Sequence, residues 1–114
     1  MAKEAMYISG PMTGLPGYNR AAFFAAEKRL AALGYVPINP AHIEGPKDAP
    51  WAFWMRRALT YLLTCQCIVM LPGWRDSRGA QLEKLVAEAL GMTVYYWRDD
   101  ELLQEDAELL AVEP

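Results

Sequence analysis

The chain has 114 residues, a hydrophobic fraction of 54% and a formal net charge of −3. That length suits one compact domain, 1–114, rather than two, and the apolar content excludes a disordered chain. A pI near 5.1 argues against non-specific binding to nucleic-acid polymers. No apolar run approaches the ~20 residues of a membrane span, and the opening Met-Ala-Lys-Glu-Ala-Met lacks the apolar core of a signal peptide, so a cytoplasmic location is expected.

Hydrophobic periodicity alternates between strand-like and helix-like along the chain. Residues 5–9 form a short apolar run stopped by Gly10-Pro11 and read as the first strand. Residues 12–18 carry Gly14, Pro16 and Gly17 and read as loop. Asn19 is expected as an N-cap and Gly34 as the C′ residue of a helix whose apolar stripe is Phe23, Ala26, Leu30 and Leu33. Residues 35–39 read as a second strand, and Pro37, which cannot donate to a ladder, places it at a sheet edge. After a loop over 40–50, Trp51, Met55, Ala58, Leu59, Leu62 and Leu63 make a helical stripe. Residues 66–71 are the third strand, 78–90 the third helix, closed by Gly91, and 93–97 the fourth strand. A last, acidic helix is expected over 99–110, with 112–114 frayed.

The order β-α-β-α-β-α-β implies an α/β fold with a parallel sheet covered by helices on both faces, a flavodoxin-like three-layer sandwich. Right-handed crossovers and the edge character of the second strand favour the order 2-1-3-4, with an extra element at the C-terminus. The switch point then lies between strands one and three. The loops that follow those strands, residues 10–14 and 72–79, should meet there and form one cleft.

The second loop carries the strongest chemical signal. The apolar run ending at Leu71 is cut by Pro72-Gly73, and Ser77-Arg78-Gly79-Ala80 then opens a helix. Free N–H groups and the positive dipole end at a helix start attract phosphate or carboxylate; Ser77 and Arg78 would add a hydroxyl and a cation. Glu83 follows in the second turn. With a stripe of Leu82, Leu85, Val86 and Ala89, Glu83 borders the buried face. Each signal also has a plain structural reading: Gly10-x-x-x-Gly14 as a flexible loop, Ser77 as an ordinary N-cap, Glu83 as a solvated carboxylate. Trp51, Trp54 and Trp74 flank the two longer loops of the chain, and core packing and stacking on flat bases both stay open for them. Cys65 and Cys67 read as two small buried hydrophobes at a strand start. His42 is the only histidine and no second cysteine pair exists, so no metal site is expected; no cofactor is expected either.

Taken together, Tyr7-Ile8-Ser9-Gly10-Pro11-Met12-Thr13-Gly14, Asn19 with Phe23 and Glu27, Asn39-Pro40-Ala41, Leu71-Pro72-Gly73-Trp74 and Ser77-Arg78-Gly79-Ala80-x-x-Glu83 resemble a small domain family of bacteria and their phages without an assigned function. That family in turn resembles the nucleoside 2-deoxyribosyltransferase superfamily, which includes the 2′-deoxynucleoside 5′-phosphate N-hydrolases. The resemblance implies an N-glycosidase or deoxyribosyltransferase acting on a deoxynucleoside or its 5′-monophosphate. It implies Glu83 as the nucleophile at the sugar anomeric carbon and Tyr7 as the residue that positions the nucleophile or the sugar. Ser9, Gly10, Pro11, Met12, Thr13 and Gly14 from the first loop, with Trp74, Asp76, Ser77, Arg78 and Gly79 from the second, are the implied substrate-binding residues. Serine at position 77, where transferases of free nucleosides carry Asp, favours a phosphorylated ligand.

Two positions depart from the pattern. Relatives carry an Asp acid/base in the helix before strand three, where this chain has Ala58, and a frequent second Asp is Gln66 here. Asp76, adjacent to the site, is a candidate substitute acid, against which its loop position counts. The alternative function is therefore a nucleotide-binding domain of the same fold with weak or no catalysis. The superfamily's shared sites and the apolar, aromatic character of Trp51, Phe53 and Trp54 imply a homodimer or larger assembly.

Overall fold

A computed structural model describes residues 3–104. Five strands form one sheet in the order β2-β1-β3-β4-β5. β1 (Ala5–Ser9) lies between β2 (Val36–Ile38) and β3 (Cys67–Met70) and is parallel to both. β4 (Thr93–Arg98) extends the sheet in parallel beside β3. The expected order 2-1-3-4 is thus present, and Pro37 is on an edge strand, opposite Met6. The order is consistent with a flavodoxin-like arrangement.

Period-two alternation along β1 divides the core. Met6 and Ile8 pack with Cys67, Val69 and Leu71 against Phe23, Ala26 and Leu30 of α1 (Arg20–Ala32). Tyr7 packs with Ile68 and Met70 against Ala58 and Leu62 of α2 (Trp51–Leu62) and Ala80 and Ala87 of α3 (Arg78–Ala89). Cys65 and Cys67, both free and buried, fall into these two separate clusters.

Four local expectations are corrected. Asn19 adopts left-handed backbone (φ 59°) and does not cap α1 with its side chain; its Nδ2 instead donates to the Pro11 carbonyl at 3.0 Å, pinning the first loop. Gly34, at φ 98°, does follow the helix as C′. Leu33 and Leu63, assigned to buried stripes, are exposed, because each is a helix-end cap residue turned out of its stripe.

The third correction concerns α3. Its buried residues are Ala80, Glu83 and Ala87, whereas Leu85 is 63% exposed and Leu90 58%. Small side chains facing the sheet let the helix lie close to it, and this selects the alanine face over the leucine face. Glu83 is therefore at the centre of the buried face rather than at its border.

The fourth concerns the C-terminus. Residues 99–104 do not begin a helix: Asp99 (φ 52°) and Asp100 (φ 61°) make a left-handed two-residue turn, and β5 (Glu101–Leu103) returns antiparallel to β4. Both central positions of such a turn need φ > 0, which Asp tolerates. Leu102, opposite Trp97, packs on the α1-side core. Positions 105–110 of the expected helix, and the expected fraying at 112–114, lie outside the described residues.

Candidate functional site

The site is built at the carboxyl ends of β1 and β3. Tyr7 and Ser9, two residues apart on β1, present their side chains to the same face. α3 crosses that face and lowers Glu83 onto them. The Ser9 hydroxyl donates to Glu83 Oε1 at 2.6 Å, and the Tyr7 hydroxyl donates to Oε2. Tyr7 and Ser9 are fully buried and Glu83 is 5% exposed. Burial pushes the Glu83 carboxyl up from 4.5 to about 7, and the hydrogen bonds from Ser9 and Tyr7 oppose that rise. Burial, together with the neighbouring Glu83 charge, raises the Tyr7 hydroxyl well above its usual value of 10. Near neutrality Glu83 thus exchanges between acid and carboxylate, with both oxygens fixed.

Close backbone approach shapes the surroundings. A Cβ on Gly10 would stand 2.8 Å from Leu71 Cβ, so glycine is what lets β1 run past the end of β3. A Cβ on Gly79 would stand 3.1 Å from Met55 Sδ, so glycine seats the start of α3 against α2. Ser77 caps α3: its Oγ accepts from Ala80 N at 3.2 Å. The first N–H groups of the helix, those of Arg78 and Gly79, have no intrahelical acceptor, as at any helix N-terminus.

These elements surround a cleft of about 1490 Å³ with Glu83 in its lining, above the ~300–1,000 Å³ usual for small-molecule pockets. Of the expected site residues, Tyr7, Gly10, Met12, Thr13, Ser77, Gly79 and Glu83 line it. Ser9 acts beneath it, through Glu83. Pro11, Gly14, Asp76, Arg78 and Trp74 are not in the lining. Arg78 stacks its guanidinium 3.8 Å from the Trp51 ring centroid, and Asp76 is exposed in a short 3-10 turn. Trp74 packs on the α2/α3-side core, its ring 6.1 Å from that of Tyr96. The tryptophans therefore divide: Trp51 and Trp54 line the cleft, and Trp74 is packing.

The two departures also divide. Ala58 lines the cleft. Gln66 sits at the opposite, amino end of the sheet, where its Oε1 accepts from Ala5 N at 2.8 Å, so this position holds the backbone and does not bear on the cleft.

Other cleft residues were not expected. Arg20, Lys47 and Arg57 contribute cations to the lining against Glu44 and Glu83. His42 lines it from the short 3-10 turn after β2 (Pro40–His42), with its Nε2 2.8 Å from Glu27 Oε1. Asn39 Nδ2 donates to the same oxygen at 2.8 Å. The period-two pair Tyr7-x-Ser9 was a readable signal for the Glu83 partners. The His42–Glu27 pair, 15 residues apart and joined only by the return of β2 beside β1, had none.

Among the described residues no group of three or more His, Cys, Asp or Glu could hold a metal ion, and no helix is long and apolar enough to cross a membrane. No curated protein matches the chain. A family model does match, over residues 4–96, which include both loops, Tyr7, Ser9 and Glu83: the chain belongs to the family described as a domain of unknown function, DUF4406.

Proposed function

We propose that the protein is an N-glycosidase or deoxyribosyltransferase that acts on a 2′-deoxynucleoside 5′-monophosphate, with Glu83 as nucleophile, on a flavodoxin-like sandwich. The observation that carries this reading is the buried Glu83, held by the Tyr7 and Ser9 hydroxyls in the lining of a cleft that also contains a helix start. A fixed carboxylate splits one hard displacement at the anomeric carbon into two easier ones through a glycosyl ester. Its raised pKa makes the ionised form more basic than an ordinary carboxylate. The start of α3, with the Ser77 hydroxyl and the Arg20, Lys47 and Arg57 cations, favours an anion such as the 5′-phosphate. Trp51 and Trp54 offer flat surfaces to a base.

Incubation of the purified protein with a panel of deoxynucleoside monophosphates, with free base read by chromatography, tests the reading. Base release by wild type and none by Glu83→Ala is the expected result. Ala58 favours a second reading, a nucleotide-binding domain with weak or no turnover, because that cleft position offers no acid. Nucleotide binding without base release, unchanged in Ala58→Asp, would establish it. We also propose a homodimer or larger assembly, to be checked by light scattering at micromolar concentration. The candidate contact is the amino-terminal part of α2, where Trp51, Phe53 and Trp54 are each only partly buried within one chain.

A further inference from the structure

On the basis of the glycosidase reading, we propose that His42, oriented by Glu27, is the acid that protonates the leaving base. His42 and Glu83 line the same cleft. They reach it from neighbouring strands: Tyr7, which binds Glu83, is paired with Ile38, four residues before His42. The His42 ring is fixed on two sides. Its Nε2 meets Glu27 Oε1 at 2.8 Å, and its plane stands at 80° to the Phe24 ring with centroids 5.0 Å apart. Glu27 is fixed in turn by Asn39, whose Oδ1 accepts from Ala41 N at 2.8 Å. A carboxylate on one imidazole nitrogen sets the tautomer and leaves the other, Nδ1, to exchange a proton with a ligand. The side chain is 59% exposed, so the ring is open to the cleft rather than packed in the core.

The step balances. A Glu83 oxygen forms a bond to the anomeric carbon as the bond from that carbon to the base nitrogen breaks. The electron pair goes to the base, and the proton on His42 Nδ1 follows it, leaving a neutral imidazole. Water then attacks the anomeric carbon of the ester. His42 takes its proton, and the Glu83 carboxylate is released. This assignment supplies the acid that Ala58 lacks, from another element of the same cleft.

A pair of substrates tests it. One is the deoxynucleoside monophosphate that wild type cleaves best. The other is 4-nitrophenyl 2-deoxyriboside 5-phosphate, whose nitrophenolate leaves without a proton. His42→Ala should lose roughly 10²–10⁴-fold on the nucleotide and little on the nitrophenyl compound. Glu27→Gln, a positioning change, should reproduce the same asymmetry more weakly. Glu83→Ala should lose both activities. Equal loss on both substrates, or none, in His42→Ala overturns the role of His42 while leaving the glycosidase reading intact. A wild type that cleaves neither substrate overturns the glycosidase reading, and this assignment with it.

Discussion

At the residue scale, the buried carboxylate ties stability to the proposed chemistry. The folded chain holds the Glu83 proton up to about pH 7, whereas an unfolded chain releases it near 4.5. The native state therefore binds more protons in that window, and its stability falls as pH rises through it, by about 3 kcal/mol at the full effect. Glu83→Gln keeps the shape and removes the charge. Urea melts should show the variant more stable than wild type at pH 8, with the difference vanishing below pH 4.5. As the proposed nucleophile Glu83 must be ionised to attack, so activity on the nitrophenyl substrate, which needs no acid, should rise with pH through about 7. Tyr7→Phe removes a hydrogen bond that favours the ionised form, so it should move that rise to higher pH. It also leaves a carboxylate oxygen without its partner, at a cost of about 1–3 kcal/mol in a denaturant melt. The Glu83 position was legible as a carboxylate near an apolar face. Tyr7 was tied to it only through the family resemblance and Ser9 not at all, because the approach of α3 to β1 is a tertiary fact. Ser9 accordingly stood among the ligand-binding residues rather than under Glu83.

At the element scale, strand and helix order followed from periodicity and from Pro37, since both act locally. What failed was wherever packing outweighed pattern. The leucines of α3 make a better helical stripe than its alanines, yet the alanines face the sheet because close approach needs small side chains. The acidic C-terminal run reads as helix until Leu102 finds Trp97 and the Asp99-Asp100 turn closes the hairpin. Glycine at the end of β1 is the most exacting of these local requirements. Gly10→Ala places a Cβ 2.8 Å from that of Leu71, so β1 and the loop must shift. A loss of about 1–3 kcal/mol in a denaturant melt is expected, with weakened nucleotide binding, since the first loop leaves from this point.

At the scale of the whole molecule, the sheet order brings the two loops and the turn after β2 to one rim. Cations, a helix start and His42 line the same cleft there. A ligand with an anionic end and a flat leaving group matches this lining. A deoxynucleoside monophosphate should bind more tightly than its nucleoside by calorimetry; equal affinity would remove the phosphate assignment. The central claim, that Glu83 forms a bond to the sugar, is tested most directly by intact-protein and peptide mass spectrometry after incubation with a 2′-fluoro analogue of the cleaved monophosphate, in which breakdown of the ester is slowed. The account predicts a sugar-phosphate adduct on the peptide containing Glu83 in wild type and none in Glu83→Gln. Base release with no adduct, or an adduct on another residue, would contradict it.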